Sequence, residues 1–159
     1  MAAFAALIIA GLGAGAAFAG STAQQTVTYE VSAINELSVS AATASLTVNS
    51  ATAGSAPNVA TDATTSYAIT TNESNRKITG AINSNMPSGV TLSVTLAAPT
   101  GATSSGKLAL STTAVDLVRG ISTLNESGKG ISYELAATSA AGVVASATKT
   151  VTLTITADE

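Results

Sequence analysis

ISYELAATSAAGVVASATKTVTLTIT, residues 131–156, carries two runs of strict alternation. Ile131, Tyr133, Leu135 and Ala137 alternate with Ser132, Glu134, Ala136 and Thr138. Val151, Leu153 and Ile155 alternate with Thr150, Thr152, Thr154 and Thr156. A period of two puts one set of side chains in a core and the other in water. The stretch therefore predicts two β-strands joined by one loop, a hairpin. Its apolar face needs a second sheet over it, and the rest of the chain has to supply that sheet.

The same period recurs upstream. Val90, Leu92, Val94 and Leu96 form the cleanest central strand. Residues 66–70, with Tyr67 and Ile69 inward, and residues 77–82, with Ile78 and Ile82 inward, are two more. Leu108 with Leu110, Leu46 with Val48, and residues 34–40 read as short strands. Residues 25–32, QTVTYEVS, alternate with Val27, Tyr29 and Val31 on one face. Residues 113–121 fit either a short strand or a helical turn capped by Thr113. Turns are expected at residues 72–75, 83–89 and 125–130, and loops at 49–65 and 97–106, from their Gly, Pro, Asn and Ser content. Short strands at intervals of about 8–12 residues predict an all-β sandwich of about 7–9 strands. Within it, Leu92→Ala and Leu153→Ala are each expected to cost about 2–5 kcal/mol, the effect of truncating a buried side chain.

A chain of 159 residues can hold one domain with a real core, here expected over residues 20–159. Charged residues make up 9% of the chain, against about a quarter in an ordinary domain, and Ser, Thr, Ala and Gly take their place. Thr suits a pleated surface and keeps the wet face soluble without charge. Regular Val, Ile and Leu with a net charge of only −3 argue against disorder. The basic residues are scattered, apart from Arg76-Lys77, so nucleic acid is not expected as a partner. Cys is absent, which removes disulfides and thiolate metal sites and leaves core and sheet to hold the fold.

Residues 1–20, MAAFAALIIAGLGAGAAFAG, contain no charged side chain. Residues 2–15 have the length of a signal-peptide apolar region, and Ala17-Phe18-Ala19 matches the small-x-small cleavage rule. Residues 1–19 are expected to be a signal peptide cleaved after Ala19, or else a retained hydrophobic helix. This implies export to the periplasm, the cell surface or the medium. Membrane contact is expected only through that segment, before cleavage.

A family resemblance joins these readings. Gly128, Gly130 and the run Tyr133-x-Leu135-x-Ala137 resemble the turn and penultimate strand of immunoglobulin-like and fibronectin-type modules. The resemblance puts Tyr133 at the tyrosine corner and makes the sandwich immunoglobulin-like. From residue 25 onward the chain is also similar to small exported prokaryotic β-sandwich proteins grouped with surface-fibre subunits. Residues 64–99, TTSYAITTNESNRKITGAINSNMPSGVTLSVTLAAP, and residues 130–156 carry that likeness. It implies a structural or adhesive surface role and, as partners, copies of the same chain or other surface proteins.

The residues themselves argue against enzymatic chemistry. With no His and no Cys, neither Ser-His nor Cys-His catalysis is available. Ser74–Lys77, Ser104–Lys107 and Ser146–Lys149 match Ser-x-x-Lys, a motif that needs one helix face, yet all three fall in loops or at strand starts. The nine acids show no facing pair of the glycosidase type. Asp116, or Glu126 with Asn125, are oxygen ligands of the kind Ca²⁺ uses, but no calcium-loop spacing surrounds them. No catalytic, cofactor-binding or metal residue is therefore assigned. Asn72-Glu73-Ser74 and Asn125-Glu126-Ser127 are glycosylation sequons, meaningful in a host that glycosylates exported proteins. Sugar-binding modules use exposed aromatic platforms, whereas Tyr29, Tyr67 and Tyr133 all fall in inward-facing phase. A secreted glycan- or ligand-binding module is the alternative to the structural role. The residues singled out for function are Val27, Tyr29 and Val31. They are read either as the first strand of their own sandwich or as a strand donated to a neighbour's open edge.

Overall fold

The computed structural model describes residues 21–159, so the segment expected to be a signal peptide or retained helix, residues 1–19, lies outside the described residues. The chain divides into two compact units, Met1–Val31 and Ser32–Glu159. All strands among the described residues belong to the second. They are β1 (Asn35–Val39), β2 (Ala60–Thr71), β3 (Arg76–Ile82), β4 (Val90–Leu96), β5 (Thr103–Ser104), β6 (Leu108–Ala109), β7 (Val115–Ile121), β8 (Leu124–Ala137) and β9 (Val151–Ala157). Among the described residues a single 3-10 turn, Ser139–Ala141, interrupts this all-β succession. Two antiparallel sheets result, one of five strands in the order β1-β2-β8-β4-β6 and one of four in the order β5-β7-β3-β9. The fold is all-β, as the alternation predicts.

Inward residues of both sheets make one core. Leu92, Val94 and Leu96 of β4, Tyr67 and Ile69 of β2 and Ile131 of β8 meet Ile78 and Ile82 of β3 and Leu117, Val118 and Ile121 of β7. Gly80 lies between Ile78 and Ile82 because a Cβ there would come within 2.6 Å of Leu117 Cδ1. Its missing side chain is the space that Leu117 fills.

The predicted hairpin does not form. β8 pairs with β2 and β4, setting Leu135 opposite Leu92 and Tyr133 opposite Val94. β9 pairs with β3 in the other sheet, setting Leu153 opposite Gly80 and Ile155 opposite Ile78. Alternation reports that a strand has one buried face; it says nothing of which strand lies beside it. The segment between β8 and β9 is long enough to cross from one sheet to the other. In immunoglobulin sheets the last two strands are neighbours; here they are not.

Other expectations shift for local reasons. Residues 125–130 are not a turn but part of β8. Gly128, at φ 67°, adopts a left-handed conformation inside it. The ladder there steps from Tyr67–Lys129 to Ile69–Glu126, one residue more on β8 than on β2, so the glycine absorbs a bulge. The loop expected over residues 49–65 ends early, at the start of β2. Residues 113–121 resolve as strand β7 rather than a helical turn. Leu46 and Val48 lie outside any strand yet stay half-buried. Tyr67 donates its hydroxyl to the Ala97 carbonyl at 2.6 Å, tying β2 to the end of β4.

Candidate functional site

Residues 25–32 are not a strand, and residues 21–31 are exposed throughout. Val27, Tyr29 and Val31 are 73%, 89% and 78% exposed. The local reading, in which this segment is the first strand of its own sandwich, is not what the structure holds: the segment has no ladder partner among the described residues. Nor do the three tyrosines share one environment. Tyr67 is buried at 1% exposure and Tyr133 is half-buried, but Tyr29 stands in solvent. Alternation marks a face that is able to be buried; burial itself needs a partner surface.

Immediately after this segment the chain is held firmly. The Ile34 amide donates to Asn72 Oδ1 at 2.8 Å, Asn72 Nδ2 donates to the Ser32 carbonyl at 2.8 Å, and the Asn72 amide donates to the Ile34 carbonyl at 3.2 Å. One asparagine in the turn after β2 thus clamps the entry to β1. The same Asn72 heads a predicted glycosylation sequon, and both ends of its side-chain amide are already committed.

The second unit is unevenly packed. β3 and β7 bury their inward residues almost completely, whereas Val151, Leu153 and Ile155 of β9 remain half-buried. β9 is the last strand of its sheet, and its outer edge carries no neighbour among the described residues. β1 is the corresponding edge strand of the other sheet, and the two edge strands lie close together. Beside them runs a trough of about 790 Å³ with Leu37, Leu46, Met86, Leu135 and Leu153 in its lining. A second hollow of about 750 Å³ adjoins it, sharing Leu46, Met86 and Leu135 and reaching Val90 and Val144. Thr65 also lines the trough; it is 6% exposed, and its Oγ1 has no hydrogen-bond partner among the described residues. An orphaned buried hydroxyl is costly in a fold, because its desolvation is not offset.

Polar contacts tether the walls of the trough. Asp62 Oδ2 accepts the Ser45 amide at 3.2 Å, and its other oxygen accepts the Thr64 amide and hydroxyl at 2.9 and 2.7 Å. Hydrogen bonds from Thr64, then from Ser45, hold the Asp62 carboxyl below the usual range. On the other side Lys149 Nζ donates to Ser84 Oγ at 2.7 Å and to the Asn85 carbonyl at 2.9 Å, and the Thr150 amide donates to Asn83 Oδ1 at 3.1 Å. Sequence reasoning missed Thr65, Met86 and these tethers. Leu92, Leu135 and Leu153 carry a signal through their strand alternation, and Leu46 and Val48 through an alternation that marks an apolar wall rather than the strand it predicts.

The charged residues singled out by the sequence are engaged with one another. In the three Ser-x-x-Lys matches, Lys77 pairs with Asp116 at 3.3 Å, Lys107 with Glu134 at 2.9 Å, and Lys149 makes the contacts given above. None of the three motifs lies on a helix. Asp116 is shared between Lys77 and Arg119, and Glu126 between Lys129 and the Thr100 amide. These carboxylates are already neutralised by cations of the chain. No group of three potential metal ligands occurs among the described residues.

No family model, no curated protein and no solved structure matches this chain.

Proposed function

We propose that this chain is a non-enzymatic structural module of an exported surface assembly, a fibre subunit whose residues 25–32 are donated to a neighbouring copy. The observation that carries this reading is the exposed run of Val27, Tyr29 and Val31 ahead of a sandwich whose β9 edge has no neighbour among the described residues. A strand-patterned segment that forms no ladder among the described residues is suited to strand addition, in which backbone groups pair with an edge and alternate side chains fill a core. The donated segment precedes the sandwich that accepts, so each contact is head-to-tail and does not close, and repetition gives a fibre. The apolar residues 1–19 with their small-x-small site support export. Commitment of the motif lysines to salt bridges and backbone supports a role without catalysis.

Negative-stain microscopy and light scattering of the purified full-length protein test this. Filaments or a concentration-dependent ladder of oligomers are expected. A monodisperse monomer at high concentration, with protected Val27 amides, overturns it. The glycan-binding alternative requires a stacking platform, toward which only Tyr29 of the three tyrosines is exposed. Monomers that bind a glycan array would establish it instead.

A further inference from the structure

We propose that the trough beside β9 is the acceptor site, and that its occupant is residues 25–32 of a second copy, laid antiparallel along the free edge of β9. The inference rests on the strand-donation reading above and assigns it a site, a register and a polar anchor.

The match is residue by residue. β9 presents Val151, Leu153 and Ile155 at every second position, each half-buried. The donor presents Val27, Tyr29 and Val31 at the same spacing, each exposed. An added strand lies about 4.8 Å from β9, so its inward residues enter the same interior as those of β9. The antiparallel sense continues the pattern of a sheet whose ladders are all antiparallel and is slightly more stable per residue. It sets Val27 opposite Ile155, Tyr29 opposite Leu153 and Val31 opposite Val151, with Thr28 opposite Thr154 on the outer face.

Tyr29 is the middle residue of the three and carries the polar tip. Thr65 Oγ1, in the lining of the trough, is a buried hydroxyl without a partner among the described residues. A tyrosine entering from the β9 side brings apolar ring to the half-buried leucines and a hydroxyl to that orphan. Valine at either flank needs no such partner. The pattern Val-x-Tyr-x-Val thus sets its one polar tip toward the trough's unpartnered hydroxyl and its apolar side chains toward Leu37, Leu135 and Leu153. Asn72 fixes where the donor leaves its own sandwich, so consecutive subunits are joined by a short, held connection.

The chain has no cysteine, so an introduced pair reports a single contact. Full-length Thr28→Cys and Thr154→Cys proteins, mixed and oxidised, are expected to give a mixed disulfide identified by mass. The double variant is expected to give a covalent head-to-tail ladder. Thr28→Cys with Ser38→Cys, on the edge of β1, is expected to give no such ladder. A ladder through Ser38 in polymers that still form overturns the β9 site and leaves the fibre function standing. Absence of any polymer overturns both. A cross-link confined to monomers at every concentration shows the trough filled by its own chain and overturns the second copy as occupant. For the anchor, Tyr29→Phe and Thr65→Val should each raise the concentration needed for assembly about two- to tenfold, the value of one net hydrogen bond. The double variant should be no worse than the poorer single one; additive effects overturn the hydroxyl contact.

Discussion

Tyr67 places its ring in the core and its hydroxyl on the Ala97 carbonyl, and burial, assisted by the nearby Glu126 charge, pushes its pKa up to about 12. The folded protein therefore holds this proton more tightly than the unfolded chain, whose tyrosine titrates near pH 10. The contribution is fully present below about pH 10 and is lost as pH rises toward 12. Tyr67→Phe should cost about 0.5–1.5 kcal/mol at neutral pH and flatten the loss of stability above pH 10, measured by urea unfolding across pH. The acids act at the other end of the scale. Lys129, then Thr100, hold the Glu126 carboxyl down at about 2, and Asn35, then Arg76, lower that of Glu73. Their stabilisation is present above the unfolded value near 4.3 and disappears as pH falls through the folded values. The melting temperature should drop between about pH 5 and pH 2. Glu126→Gln should melt lower at neutral pH but show a shallower acid slope. An unchanged slope would mean that the Lys129 contact contributes nothing in solution.

Strand by strand, the structure separates positions that the pattern of alternation treats as equal. Leu92 is 7% exposed and Leu117 fully buried, whereas Leu153 on edge strand β9 is half-buried. Leu92→Ala and Leu117→Ala should each cost about 2–5 kcal/mol, but Leu153→Ala in the monomer only about 1–2 kcal/mol, because part of its surface is already wet. The equal cost that alternation predicts for Leu92 and Leu153 is thus revised by sheet position. Chemical denaturation of monomeric protein checks all three. Equal costs would mean that the β9 edge is covered in solution. In β3, Gly80→Ala forces a Cβ against Leu117 and should destabilise by about 1–3 kcal/mol, partly rescued by Leu117→Ala, which clears the space. Unfolding free energies of the two single variants and the double one form the cycle that tests this.

At the scale of the whole molecule, removing residues 21–32 should leave the β-sheet circular dichroism and melting transition of the sandwich intact and abolish polymerisation. All strands among the described residues lie after residue 32. A synthetic peptide of residues 25–32 should then bind the truncated protein and raise its melting temperature. A truncated protein that still polymerises would place the joint elsewhere. Sequence alone determined the class of fold, because a period of two in Val90–Leu96 and Val151–Ala157 can be satisfied only by sheets with one buried face. It also determined which residues are able to be buried. Neighbours were beyond its reach: 131–137 and 151–156 read as one hairpin, and only the tertiary structure put them in opposite sheets, since alternation is a property of a single strand and pairing a property of two. For the same reason Val27, Tyr29 and Val31 looked like core residues until the fold left them uncovered. The trough was illegible altogether, because Leu37, Thr65, Met86 and Leu153 are far apart in the chain and become one surface only where two sheet edges come together.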